Sequence, residues 1–287
     1  MPRQGRSFRF SIPSVLGLAL MAPLLAQCDR DEPAPTPKAP EAIRPVEIET
    51  QPLGPPPALT RAELINGLAQ AASLYAREQT LEVSDPLVGR TFSLRLPFGC
   101  TGPAATEQPA EGIADWRWGP DQATIRLRLT PSDWIATPLM QGAVVAEDAE
   151  PQPNQWEAVE GFWVARPWIA TETCPAASLS SSISAPPSPQ TVGIAAVFPR
   201  DGSRLGRRNG RAYEFTVRQH GDTPLAAPSA GYRLRLEGRI VAFPDGRASR
   251  CVSYSPDQRP TCVAAVQMDR VAFEDTTGTV LSEWRTN

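Results

Sequence analysis

The chain is 287 residues long, carries a formal net charge of -3 and is 41% hydrophobic. That balance gives no electrostatic case for a nucleic-acid partner, which calls for a basic surplus, while the apolar fraction is enough for a real core. Lys38 is the only lysine, so nearly all positive charge is arginine, and with abundant Ala and Pro this composition reads as GC-rich codon bias.

The N-terminus begins with Arg3, Arg6 and Arg9, followed by an apolar run from about Ile12 to Leu25 that contains Pro13 and Pro23. About 14 apolar residues are too few to span a bilayer as a permanent helix. A positive flank, a short apolar run and small residues before a polar break define a secretory signal over residues 1–27. The chain turns at once to Asp29, Arg30, Asp31 and Glu32. Leu25-Ala26-Gln27-Cys28 resembles the lipobox of bacterial lipoproteins. Leu25, Ala26 and Cys28 match, and Gln27 stands where the pattern has a small residue. The resemblance implies that Cys28 becomes the lipidated N-terminus of the mature protein. Several acyl chains, at ~0.8 kcal/mol per buried methylene, would anchor it to a membrane. Asp29 resembles the inner-membrane retention signal of such proteins. This implies a periplasmic protein tethered to the inner membrane, with the outer membrane as the alternative.

Residues 28–57 form the anchor and a linker rich in proline and charge, too poor in large apolar side chains to bury a core. Its prolines favour extended polyproline II. At Thr60 a helix begins. Thr60-Arg61-Ala62-Glu63 is a capping box, Leu59 can staple it, and Leu64, Ile65, Leu68, Ala71, Ala72 and Tyr75 share one helical face. This helix is expected to run to about Glu78 and to pack on a sheet.

From about Arg90 onward the pattern is β. Phe92, Leu94, Leu96 and Phe98 alternate with polar residues. Residues 114–118 and 124–129 flank Gly119-Pro120-Asp121-Gln122 as a hairpin. Further strands are expected over 157–168, 191–198, 213–218, 232–240, 248–254, 261–273 and 279–284. Phe243-Pro244-Asp245-Gly246 is a turn, because Pro fixes φ and Gly accepts a positive one. In 261–273 the apolar phase slips between Val266, Met268 and Val271, Phe273, which predicts a β-bulge. The fold class is therefore mainly β (α+β): an antiparallel sandwich or barrel over residues 58–287 with one N-terminal amphipathic helix.

Five cysteines are present. With Cys28 assigned to lipid, an even four remain for disulfides in an oxidising compartment. Cys251 and Cys262 flank a polar, Pro-containing turn and face each other across a hairpin, which leaves Cys100 with Cys174. No C-x-x-C occurs and His220 is the only histidine, so neither a metal nor a cofactor is expected.

Catalytic motifs are absent: no G-x-S-x-G, H-E-x-x-H, Walker A or S-x-x-K. Asp115, Asp121, Asp133 and Glu160 are the carboxylates from which a glycan-cleaving pair could be drawn. Trp116 and Trp118 share a face and stack on sugar rings if exposed, or fill the core if buried. Arg204, Arg207, Arg208 and Arg211, interleaved with Gly206 and Gly210, form a loop suited to an anion. In three strands arginine alternates with apolar residues: Arg95; Arg126 and Arg128; Arg233, Arg235 and Arg239. If these strands share a sheet, its outer face is a basic panel that acidic neighbours such as Glu237 and Asp269 must offset or an anion must occupy. The expected function is a non-catalytic binding or structural module of the cell envelope. Its expected partners are the membrane, through the lipid, and an anionic envelope component. The alternative is a carboxylate-dependent cell-wall glycan hydrolase.

Overall fold

The computed structural model describes residues 56–79, 85–104, 111–141, 156–165, 171–174, 190–200, 211–219, 221 and 224–285. All of them lie in one compact unit, Leu53–Asn287. The leader, Cys28 and most of the linker lie outside the described residues.

Helix α1 spans Arg61–Ala76. Thr60 is its N-cap, and the reciprocal bonds with Glu63 are both present. The Glu63 carboxyl is held below its ordinary range by the Thr60 amide and hydroxyl, the expected mark of a carboxylate serving as a cap. Leu64, Leu68 and Ala72 are buried in the main core, with Ile65 and Ala71 partly so. Tyr75, expected on that face, is 37% exposed near the helix C-terminus.

Eleven strands occur among the described residues. The larger sheet contains β1 (Thr91–Phe98), β4 (Ser132–Asp133), β5 (Trp156–Trp163), β6 (Val192–Pro199), β8 (Tyr232–Ile240), β9 (Ser249–Val252), β10 (Thr261–Glu274) and β11 (Val280–Arg285). Its order is β1-β8-β10-β6-β5-β4, with β9 and β11 also paired to β10. The smaller sheet is β2 (Ala114–Trp118), β3 (Thr124–Leu129) and β7 (Tyr213–Arg218), in the order β2-β3-β7. Short β4 and a one-turn helix, α2 (Pro138–Gln141), were not expected: neither is long enough to show a period.

Strand β10 organises the larger sheet. Its first half pairs with β9 on one side and β6 on the other, and its second half with β8 and β11. The register shifts between Met268 and Arg270. That is the expected bulge, and it keeps Val266, Met268, Val271 and Phe273 all in the main core. The β6–β10 pair is parallel, so the expectation of an all-antiparallel sheet is corrected. Parallel neighbours arise from a long crossover, which local hairpin signals do not encode.

Strand β1 is an edge, and its open side is partly covered by chain from the helix start. Leu59 N–H donates to Thr91 O and Ser93 N–H donates to Leu59 O, at 2.7 and 3.3 Å. The buried Arg61 guanidinium donates to Arg95 O. Pro97 sits in this edge strand, where a missing N–H is tolerated.

Both sheets contribute to one main core. Trp116, Ile125, Leu127 and Leu129 of the smaller sheet join Leu94, Phe98, Leu234, Leu236 and Phe273 of the larger. At one margin Trp116 Nε1 donates to Gly99 O at 3.3 Å and Ala104 N–H to Trp116 O at 2.9 Å. At another margin Arg211 lies 5.5 Å from the Trp284 ring and donates to Glu283 O at 3.1 Å. These contacts do not continue a ladder, and the sheets remain two rather than one closed barrel.

A second, smaller core includes Trp134, Leu139, Met140, Val159, Val197 and Phe243. Trp134 lies so close to Gly161 that a Cβ there would stand 2.1 Å from its ring. Two disulfides occur: Cys100–Cys174, with Cα atoms 5.3 Å apart, and Cys251–Cys262, directly opposed across β9 and β10 at 4.1 Å. Both are the expected pairs.

Candidate functional site

The arginines expected on one basic panel are divided between the two sheets. Arg95 (β1), Arg233, Arg235 and Arg239 (β8) belong to the larger sheet, and Arg126 and Arg128 (β3) to the smaller. The single shared panel is therefore corrected. Alternation identifies the face a residue takes on its own strand, but not which strands become neighbours.

On the larger sheet two of these arginines, Arg95 and Arg235, are matched by carboxylates. Glu274 is fully buried. It accepts from Arg95 Nε at 3.0 Å and Arg235 Nη1 at 3.1 Å. Arg235 also meets Glu237 at 2.5 Å. Arg270 links Glu237 at 3.2 Å to Glu283 at 2.6 Å, and Arg285 reaches Glu283 at 3.0 Å. Burial alone would push the Glu237 carboxyl up, but Arg235, Arg270 and Ser93 outweigh it and hold the group below its ordinary range. The partners are Glu237, as expected, and Glu274 and Glu283 rather than Asp269. Arg95 and Arg235 are directly opposed, and the buried Glu274 between them offsets a like-charge pair that is otherwise destabilising.

The outer face of the smaller sheet is different. Its three strands stack Asp115, Arg128 and Glu214 in one row, Arg117, Arg126 and Thr216 in the next, and Thr124 with Arg218 in a third. Arg117 pairs with Asp115 at 3.5 Å and Arg128 with Glu214 at 3.3 Å. Burial pushes the Asp115 carboxyl up, against the pull of Arg117 and Arg128. Arg126 and Arg218 are exposed and have no acidic partner among the described residues. Arg117 directly faces Arg126. Arg117 and Arg218 were not among the expected residues, although strand alternation from Trp116 and from Tyr213 would have placed both on this face.

Of the expected arginine loop, Arg204, Arg207 and Arg208 lie outside the described residues, as does His220. Arg211 is described, and it caps Glu283 O and covers Trp284. Trp116 is buried and meets Trp118 edge-on at 5.6 Å, with Trp118 partly buried against the core, so the pair does not present two exposed faces to a sugar. Asp115 lies on the outer face of the smaller sheet and Asp121 in the β2–β3 turn. Asp133 and Glu160 are directly opposed across β4 and β5. Glu160 is buried and accepts from Tyr213 Oη at 3.3 Å, while exposed Asp133 accepts from Ile135 N–H. Among the described residues no cluster of His, Cys, Asp and Glu suits a metal ion. No helix there is long and apolar enough to cross a membrane. Comparison with protein-family models, curated proteins and solved structures finds no match.

Proposed function

We propose that this chain is a lipid-anchored periplasmic lipoprotein whose folded domain is a non-catalytic binding module of the cell envelope. The carrying observation is the cysteine pattern. Cys100, Cys174, Cys251 and Cys262 are consumed by two disulfides, leaving Cys28 of Leu25-Ala26-Gln27-Cys28 as the one remaining cysteine of five. Disulfides persist in oxidising compartments, which agrees with the leader. The binding surface is the outer face of the smaller sheet, where Arg126 and Arg218 give an unbalanced positive charge toward an anionic envelope component. We read the two sheets as layers of a sandwich, supported by their common core. Mass spectrometry of the mature protein from its native envelope tests the anchor. The expected N-terminus is an acylated Cys28, and an unmodified Cys28 inside a longer mature chain refutes it.

A second reading, a glycan hydrolase, draws on the Asp133–Glu160 register. Opposed residues in an antiparallel pair hold their Cβ atoms about 4.5–5.5 Å apart, which brings two carboxylates near enough to act on one glycosidic bond. Release of soluble fragments from purified cell wall, abolished by Glu160→Gln and by Asp133→Asn, supports that reading. No release by the unaltered protein ends it.

A further inference from the structure

We propose that the outer face of the smaller sheet carries a binding site for a phosphomonoester on a soluble sugar or polyol, built by Arg126, Arg218, Thr124 and Thr216. This rests on the reading of the domain as a binding module for an anionic component. Arg126 lies directly across from Thr216, and Thr124 directly across from Arg218. The four positions form a rectangle with arginines on one diagonal and threonines on the other. Diagonal neighbours in an antiparallel pair are ~7–8 Å apart at Cα, within reach of long side chains. Two guanidinium forks can therefore converge on one anion, with the Thr216 hydroxyl as an additional donor; the Thr124 hydroxyl lies against Gly119 and joins them by rotation about its Cα–Cβ bond.

Charge selects the ligand. The rectangle holds two unmatched positive charges, with Arg117 beside Arg126. A phosphomonoester carries about -1.5 to -2 at neutral pH and three acceptor oxygens, whereas a carboxylate brings one charge and two oxygens. Excess arginine on the larger sheet makes no such site. Arg233 and Arg239 lie six residues apart along one strand, about 20 Å at ~3.3 Å per residue.

The neighbouring row argues against a bilayer as the source. Asp115 and Glu214 stand one row from Arg126, about 6.7 Å along the strands. A plane of anionic headgroups would press on both carboxylates. A single phosphate seated on the rectangle does not reach them, and the exposed Glu214 can instead accept from a ligand hydroxyl. The described strand residues of this face are Asp115, Arg117, Thr124, Arg126, Arg128, Glu214, Thr216 and Arg218, and among them there is no apolar side chain to insert into lipid.

The test is calorimetric titration of the full-length protein in detergent with glucose 6-phosphate, glucuronate and glucose, beside flotation with phosphatidylglycerol vesicles and with neutral phosphatidylcholine vesicles, which measure capture through the lipid anchor alone. Saturable binding of glucose 6-phosphate is expected, at least tenfold tighter than glucuronate and undetectable for glucose. Binding should weaken from pH 7 to pH 5 as the phosphate gains its second proton at a pKa of about 6. Arg126→Gln and Arg218→Gln should each weaken it at least tenfold and Thr216→Val about threefold, with Arg239→Gln on the other sheet unchanged. Near-UV circular dichroism confirms that each variant is folded. Equal binding by folded Arg126→Gln and Arg218→Gln overturns the site, as does stronger flotation with phosphatidylglycerol than with phosphatidylcholine vesicles in the absence of glucose 6-phosphate binding. Crosslinking in the native envelope separates the two levels. Capture that depends on Arg126 without glucose 6-phosphate binding overturns the ligand class and leaves the binding-module reading standing. Loss of both overturns both.

Discussion

Glu274→Ala removes the carboxylate that two arginines share inside the larger sheet. Glu274 is fully buried, with Arg95 at 3.0 Å and Arg235 at 3.1 Å. Removing one partner of a buried ion pair ordinarily costs ~3–5 kcal/mol, because the other charge is left uncompensated. Here the arginines are not trapped. Their side chains are 34% and 23% exposed, and Arg235 retains Glu237 at 2.5 Å. The expected loss is therefore near or below the lower limit, about 2–3 kcal/mol. In a domain of this size each kcal/mol shifts the melting temperature by about 2–4 °C, so a drop of about 4–12 °C is expected. Urea denaturation and thermal melts of Glu274→Ala, Arg95→Ala and the double variant give the coupling directly. A loss within ~0.5 kcal/mol, the scale of an ordinary surface substitution, or a coupling indistinguishable from zero, would show that Glu274 does not hold the two guanidinium groups together.

Removing the Cys100–Cys174 disulfide, with a sequence separation of 74, should cost more than removing Cys251–Cys262, with a separation of 11. The chain-entropy relation gives about 4.4 and about 2.8 kcal/mol respectively, and urea midpoints of the paired Ala variants rank them. Stability should fall with acid: the folded Glu237 carboxyl is held below its ordinary range. Its contribution is therefore fully present above the unfolded value of ~4.3 and is lost as pH falls through the lower folded value. Melts from pH 7 to pH 3 should show this decline, and Glu237→Gln should make it shallower. Gly161→Ala places a methyl against the Trp134 ring and should destabilise by about 1–3 kcal/mol, as overpacking does; an unchanged melting temperature would mean that Trp134 moves freely.

What could be read in advance was local. The capping box at Thr60, the alternation through Tyr232 to Ile240 and the phase slip before Val271 are each contained within a few residues, and each appears where expected. The partnership of Cys251 with Cys262 was legible because a single turn separates them. Strand order was not. The parallel β6–β10 pair joins residues separated by three intervening strands, and no local pattern encodes it. The same gap divided the arginines between two sheets. It hid the Arg126–Thr216 and Thr124–Arg218 pairs, because β3 and β7 are far apart in the chain. Asp133 and Glu160 were legible only as separate carboxylates, since β4 is two residues long.

The placement of β10 also constrains the order in which the chain can assemble. Its partners β9 and β11 are reached through short turns, so the segment from Ser249 to Arg285 can pair early. Strand β1 waits far longer: Thr91 pairs with Arg239 and Phe98 with Tyr232. A chain emerging N-terminus first presents β1 with no ladder partner until most of the domain has followed. Until then its edge is open to pairing with other chains. Long-range pairing of this kind slows folding, and during that interval the protein depends on whatever keeps unpaired strands apart.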